Sequence, residues 1–474
     1  MTILNWTILV LYIIIVVGTM LTVLLENRQP AKTMAWLLVL AFVPVVGIIL
    51  YIFFGQNIRK EFIINRHTMD RMTRKAMLEV APKKDSPLIE RHQTLMRLFA
   101  NQSFALPMKN NEVEFYTQGK TFFPVLKETL RNARHHIHLS TYIIENDPLG
   151  NSFADVLIER AQAGVEVRVI YDDVGCWKVR GKFFKRMKKA GVDIRPFMPV
   201  HFPMLTGKIN YRNHRKICVV DGQVGFIGGM NIAQRYLEGT KRGPWRDTHL
   251  KVVGDQVHAM QRTFLEDWFF VSRSLLSDQK YYPPSLSAVK NDCVAQIVTS
   301  SPISQWASIM QGYVRILLEA RHYVYMETPY FLPTDPVLFA MRTAALSGVD
   351  VRLMIPRHGD AKIVEWASRS FLPQVLRAGV KVYFYEDGFN HSKLLVCDDC
   401  ICTCGSTNLD FRSFENNFEA NMFIYDEASA LQVKRIFCED QHHCTLIKSE
   451  QNLFRRPFLH RFVESFFRLL SPLL

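Results

Sequence analysis

Two long stretches near the N-terminus show no alternation of apolar and polar positions. Residues 1 to 25, MTILNWTILVLYIIIVVGTMLTVLL, contain no charged side chain, and at 1.5 Å rise per residue about 20 of them cross the hydrocarbon core of a bilayer. A second uncharged run extends from Thr33 to Asn57; Pro44 within it kinks a spanning helix without forbidding one. The pattern predicts a two-helix transmembrane hairpin over residues 1–58. A cleaved signal peptide followed by a buried helix fits less well, because a basic leading segment and an A-x-A cleavage site are both missing. After the second run come Arg59, Lys60, Arg66, Arg71, Arg74 and Lys75, against only Arg28 and Lys32 between the two runs. That bias predicts a multi-pass protein of the cell membrane with its large remainder in the cytoplasm, joined through a basic juxtamembrane connector over 59–107.

Beyond that connector the pattern becomes short apolar or alternating runs separated by longer helical ones, and it occurs twice. ARHHIHLSTYII at Ala133 parallels ARHYVYMETPYF at Ala320, AGVEVRVIYDD at Ala163 parallels SGVDVRLMIPR at Ser347, and AGVDIRPF at Ala190 parallels AGVKVYFY at Ala378, with offsets of 187, 184 and 188 residues. Such self-similarity reads as a duplicated unit. Strands alternating with helices predict an α/β fold, two copies over 108–288 and 289–474, each with a mixed or parallel sheet flanked by helices. The turns QAGVEV and KAGVDI fit helices that end at a glycine before a strand.

Composition narrows the partners. The 58 Lys and Arg outnumber 44 Asp and Glu for a net charge of +14, which suits an anionic partner, either nucleic acid or an acidic lipid surface. Nine cysteines in 474 residues do not form a small-domain disulfide framework and point to a reducing compartment. The run CDDCICTC at Cys397, Cys400, Cys402 and Cys404 lacks a structural zinc spacing. It reads as small buried residues, with Cys400, Cys402 and Cys404 on one face of a strand. No metal or other cofactor is expected. The C-terminal FLHRFVESFFRLLSPLL has aromatic and leucine residues at helical spacing with arginines between them, a pattern that fits either a membrane interface or packing on its own domain.

The densest chemistry lies in HRKICVVDGQVGFIGGMN, from His214 to Asn231, and in HSKLLVCDDCICTCGSTN, from His391 to Asn408. On a strand, His214 and Lys216 leave the same face. A hairpin turning at Asp221-Gly222 then returns Gly228, Gly229 and Asn231 beside them. His391, Lys393, the Asp398-Asp399 turn, Gly405, Ser406 and Asn408 repeat the arrangement. A histidine supplies a nucleophile or an acid near neutral pH, a lysine fixed positive charge, an asparagine directed hydrogen bonds. Glycines let backbone approach an oxyanion. The set suits a phosphodiester held between the halves, attacked by one histidine while the other protonates the departing oxygen. Lys216, Lys393, Asn231 and Asn408 would then hold the phosphate. Asp221 and Asp398 belong to the motif and are counted with its catalytic residues, although their place at turns suggests a structural task. Ser406, opposite Gly229, would add a hydroxyl to the phosphate on one side only.

The doubled motif H-x-K-x4-D-x6-G-(G/S)-x-N resembles the signature of the phospholipase D superfamily. The N-terminal segment AWLLVLAFVPVVGIILYIFFG, PWRDTHLKVVGDQV, LEDWFF, ETPYFLP, FRSFENNFEAN and the terminal LLSPLL extend the resemblance to the bacterial cardiolipin synthases over essentially the whole chain. The resemblance implies a phosphatidyltransferase that joins two phosphatidylglycerol molecules through a phosphatidyl-histidine intermediate and releases glycerol. It places His214 and His391 as nucleophile and acid–base pair, with attack assigned to His214. Asp247 in WRDTH and Glu419 in NNFEA are candidates for orienting the histidines. The alternatives are a hydrolytic phospholipase D, a synthase using another alcohol or phosphatidylethanolamine, a nuclease of the same superfamily, and a silent membrane scaffold. Two spans would tether a nuclease away from most nucleic acid, and intact motifs in both copies disfavour a scaffold. Oligomeric state is open at this point.

Overall fold

The N-terminal unit shows why a run of apolar residues is not always one helix. In the computed structural model, which describes residues 3–26, 30–51, 55, 92–179, 181–200, 210–284, 293–447 and 457–472, α1 (Ile3–Leu25) is unbroken, as 23 uncharged residues allow. The second run is divided into α2 (Pro30–Phe42) and α3 (Pro44–Leu50). The break falls at Val43, whose ψ of 62° leaves the helical region. The proline that follows lacks an N–H and restricts the residue before it, so it begins a new helix in place of kinking an old one. Among the described residues α1 alone is long and apolar enough to cross a membrane. Val23, Leu40 and Tyr51 bury one another within this unit, and Trp36 meets Tyr51 edge to face at 5.5 Å. The basic cluster from Arg59 to Lys75 lies outside the described residues.

The two copies do not form two separate sheets. The first contributes β1 (Met108–Tyr116), β2 (His136–Thr141), β3 (Glu166–Asp172), β4 (Asp193–Phe197), β5 (Ile217–Val220), β6 (Val224–Gly228), β7 (Trp245–Arg246) and β8 (His249–Gly254). The second contributes β9 (Cys293–Ser300), β10 (Tyr323–Glu327), β11 (Phe331–Leu332), β12 (Asp350–Pro356), β13 (Lys381–Tyr385), β14 (Phe389–Asn390), β15 (Leu394–Cys397), β16 (Ile401–Gly405), β17 (Leu409–Asp410), β18 (Glu419–Tyr425) and β19 (Cys444–Leu446). Fifteen of these strands form one sheet in the order β19-β13-β12-β10-β15-β16-β18-β9-β1-β8-β6-β5-β2-β3-β4. Apart from the edge strand β19, the order reads the same from either end, and β9 pairs antiparallel with β18 and with β1 at the centre. The sheet is mixed. Only β2-β3-β4 and β10-β12-β13 run parallel, since those connections contain helices, whereas the motif hairpins are antiparallel.

The glycines of the AGV and SGV turns have φ of +88° (Gly164), +96° (Gly191), +90° (Gly348) and +94° (Gly379), the left-handed geometry that ends a helix before a strand. One apolar cluster belongs to each copy, and a third is shared, where Ile217, Leu250, Leu394 and Met422 pack with the helices Gln256–Ser272 and Glu427–Gln441. The described part of the expected connector is not a linker. Helix Gln93–Ser103 buries Leu95, Met96 and Phe99 in the cluster of the second copy, with Phe99 4.6 Å from Phe423. Cys402 and Cys404 share a face in the common core, while Cys400, in the turn before β16, packs in the other cluster. Strand alternation begins only after it.

Candidate active site

Each motif histidine lies on extended chain just before its strand, not within it, since β5 begins at Ile217 and β15 at Leu394. What fixes these segments is the opposite half. His214 N donates to Phe418 O at 2.9 Å, next to a bridge between Asn213 and Phe418, and His391 N donates to Arg246 O, beside the parallel pairing of β14 with β7. From within its own half, Asp172 at the end of β3 accepts from Asn213 N at 3.0 Å and from Arg212 Nε at 2.9 Å.

The crossing extends to side chains. His214 Nδ1 donates to Glu419, 3.0 and 3.1 Å from its two oxygens, and His391 Nδ1 donates to Asp247 Oδ2 at 2.6 Å. Each imidazole is oriented by a carboxylate from the other copy, which leaves its Nε2 for a substrate. Lys216 Nζ donates to His214 O at 2.6 Å, Lys393 Nζ to His391 O. Both ammonium groups retain further N–H donors.

The charge states follow from burial and from these partners. Burial pulls His214 below the usual imidazole range, opposed by Glu419 and reinforced by Lys216. Burial and then Lys393 pull His391 down to about 3. Lys216 is pushed down to about 7 by burial, with Lys393 adding repulsion, and Lys393 is lowered by burial too. For Asp247 and Glu419 burial acts upward, yet Lys393 and His391 outweigh it at Asp247, and His214 and Lys216 outweigh it at Glu419, so both stay below the ordinary carboxylate value. Two ionised carboxylates thus hold two neutral imidazoles beside two lysines whose proton affinity burial has lowered. An entering phosphodiester anion raises the proton affinity of all four bases.

The remaining motif residues separate by task. Asp221 accepts from the N–H groups of Arg134, His135 and His136 at 2.8, 2.8 and 2.9 Å, and Asp398 from those of Arg321, His322 and Tyr323 at 2.7, 2.9 and 2.8 Å. Both therefore anchor the start of the neighbouring strand. Asn231 donates to Tyr236 OH at 3.0 Å and accepts from Ile143 N, while Asn408 donates to Asp410 at 3.0 Å and its buried Oδ1 has no partner among the described residues. Ser406, expected on the phosphate, has its hydroxyl on Glu419 Oε2 and accepts from Ala420 N at 3.1 Å. It positions the carboxylate. Gly229 lacks a hydroxyl for a steric reason: a Cβ there would lie 2.0 Å from Asp247 Oδ1. Among the described residues no three His, Cys, Asp or Glu side chains are grouped to hold a metal ion.

Several residues at the site escaped the sequence reading. Arg215 pairs with Asp267 at 2.6 Å, and Arg246 pairs with Asp440 at 2.6 Å and donates to Ser392. Asp267 and Asp440 end the repeated string F-x-E-D at Phe264 and Phe437, a signal that was available. Around His391 stand four rings, Trp245, Phe389, Tyr330 and Tyr236, at 5.7, 5.8, 6.2 and 6.4 Å.

The chain as a whole is similar to known proteins. A family model described as "Cardiolipin synthase, PLD-like domain" matches residues 126–268 and 313–441, one segment for each motif. The chain belongs to the cardiolipin synthase family. A second model, the phospholipase D-nuclease N-terminal segment, covers residues 7–56. The cardiolipin synthase of Alkalihalophilus pseudofirmus is 40% identical over 99% of this chain and 94% of its own. That of Geobacillus kaustophilus is 40% identical over 96% and 91%. Among solved structures, phosphatidylserine synthase of Haemophilus influenzae superposes with a TM-score of 0.61 at 16% identity, covering 81% of this chain and all of the other. At that identity it bears on the fold of this cardiolipin synthase family member alone.

Proposed function

We propose that the protein is a cardiolipin synthase that transfers a phosphatidyl group between two phosphatidylglycerol molecules, with His214 as nucleophile. The observation that carries the reading is the crossed pair of imidazole–carboxylate contacts beside two buried lysines. His391 takes up a proton on Nε2 as the phosphodiester anion binds; His214 Nε2 then attacks phosphorus, the bond to the departing glycerol breaks, and that oxygen takes this proton from His391. The acceptor's hydroxyl then gives its proton to His391 and attacks phosphorus, breaking the P–N bond and restoring His214. Lys216, Lys393, Asn231 and Asn408 hold the nonbridging oxygens. Four rings beside His391 support giving it the alcohol, since they limit water at the point where hydrolysis would compete.

The apolar helix α1 and the family's lipid chemistry support a place in the membrane. We extend this to a multi-pass arrangement, with α2 and α3 forming a broken second crossing and the catalytic halves in the cytoplasm. Detergent-solubilised protein incubated with labelled phosphatidylglycerol tests the reaction. Cardiolipin and free glycerol are expected; phosphatidic acid alone would show a hydrolase, and no turnover of lipid with cleavage of DNA would show a nuclease.

A further inference from the structure

The helix Phe458–Arg468 is turned inside out. Phe458, Leu459, Phe462, Phe466 and Leu469 are between 52% and 79% exposed, while its single acid, Glu464, is 5% exposed. At about 100° per residue the five apolar side chains occupy one arc of roughly 100°, and Glu464 lies on the side away from it. That opposite side is where the helix is held: Phe467 stacks on Trp366 at 5.4 Å, and the Arg468 guanidinium lies 4.3 Å over Phe371. A helix covering its own domain does the reverse, placing apolar residues inward. A contiguous exposed apolar arc marks a surface that something apolar covers.

Charge identifies the occupant. In the string FRRPFLHRFVESFFR, from Phe454 to Arg468, four arginines accompany one glutamate, and the exposed Arg461 flanks the apolar arc. Aromatic and leucine residues bordered by arginine suit the boundary between anionic headgroups and acyl chains. We propose that this helix lies in the membrane interface with its phenylalanine arc inserted among the lipid chains, a second point of attachment independent of the N-terminal helices. The proposal goes beyond the transfer reaction and holds whichever phospholipid is the donor.

The test uses full-length protein in vesicles of phosphatidylglycerol and phosphatidylethanolamine, with a nitroxide placed in turn at positions 458, 460, 461, 462 and 466. Labels at 458, 462 and 466 are expected to collide with oxygen and to be shielded from a water-soluble nickel chelate, and labels at 460 and 461 to meet the chelate. Chelate access at 462 and 466 would overturn the proposal, as would shielding from both reagents, which would indicate a second copy or another protein over the arc. As a second measurement, the double change Phe462→Glu and Phe466→Glu, at side chains already exposed, should raise the apparent KM for lipid about tenfold with kcat unchanged. An unchanged KM would also count against it.

Discussion

The two histidines occupy matching places in a duplicated fold, yet their surroundings differ. Among the described residues His214 meets one ring, Tyr142, at 5.0 Å. Its carboxylate Glu419 is held by Ser406 and by Asn417 Nδ2 at 3.2 Å. His391 is enclosed by four rings, and its shorter carboxylate, Asp247, rests against Gly229 where the other copy has Ser406. The arginines are exchanged as well. Arg215 follows His214 in the motif, whereas Ser392 follows His391 and Arg246 reaches that region from the other half. The two copies differ in matched pairs: a longer acid with a serine, a shorter acid with a glycine. Duplication supplies two bases, and this divergence allows them different tasks.

Removing either base should have the largest effect. His214→Ala and His391→Ala are each expected to lower transfer by about 10⁴-fold or more, measured as cardiolipin formed from phosphatidylglycerol. The comparison is sharpened with a phosphatidyl ester of a good leaving group, such as p-nitrophenol, which needs no acid. His391→Ala should then accumulate a phosphatidyl adduct on the peptide containing His214, detected by mass spectrometry. An adduct on His391 in the His214→Ala protein would reverse the assignment.

Making the halves alike should come next. Gly229→Ser forces a Cβ onto Asp247 and turns that carboxylate from His391, with an expected loss of about 100-fold in kcat from the misoriented imidazole. A wild-type rate would show that Asp247 does not position His391.

The residues that made this legible, and those that did not, have a physical pattern. His214, Lys216, His391 and Lys393 stood out because phosphate chemistry needs those side chains at fixed spacing, and because they occur twice. The parallel β2-β3-β4 and β10-β12-β13 units were legible from period and from the glycine turns. The union of both copies in one sheet was not, since the β9 pairing with β1 is a tertiary choice that leaves no mark on either strand alone. Nor did the sequence show that Glu419 serves His214 and Asp247 serves His391, because crossing arises from how two halves face each other. The contact of the Ser406 hydroxyl with Glu419 was hidden for the same reason. The second apolar run was read as one helix because hydropathy cannot register the backbone break that Pro44 imposes at Val43.

Charge at Lys216 gives a tenfold effect per pH unit. Facing Glu419, Lys393, Asp247 and Asp172, it is pushed down to about 7 in the free site, chiefly by burial. A bound phosphodiester favours the ammonium form, so above pH 7 binding takes up a proton. KM should rise by up to about tenfold per pH unit on that side, while Lys216→Arg, whose charge persists, should flatten the rise. A KM independent of pH between 7 and 9 in the wild type would exclude this role.

Ser406→Gly, the reverse of the serine insertion, should be mild. One hydrogen bond to Glu419 is lost and Asn417 remains, so kcat should fall about fivefold, the equivalent of roughly 1 kcal/mol. A loss as large as that of Gly229→Ser would mean that Ser406 touches the phosphate after all.

The smallest effect on activity concerns a carboxyl that only the second half contains. Glu327, where the first half has Ser140, is pushed up to about 8 by burial and then by the neighbouring Asp440, against the pull of Arg246 and Asn390. A carboxyl whose folded value is raised binds its proton more tightly in the folded state. Its contribution to stability is therefore complete below the ordinary value of 4.5 and is lost as pH rises through 8. Glu327→Gln fixes the neutral form. Transfer at pH 7 should change by less than about twofold, because a protonated carboxyl and an amide offer Asn390 the same acceptor. The melting temperature relative to wild type should climb between pH 5 and pH 8.5, by roughly 1 °C per kcal/mol relieved for a chain of this size. A difference that stayed flat with pH would place Glu327 in its ionised form, paired to Arg246 in competition with Asp440.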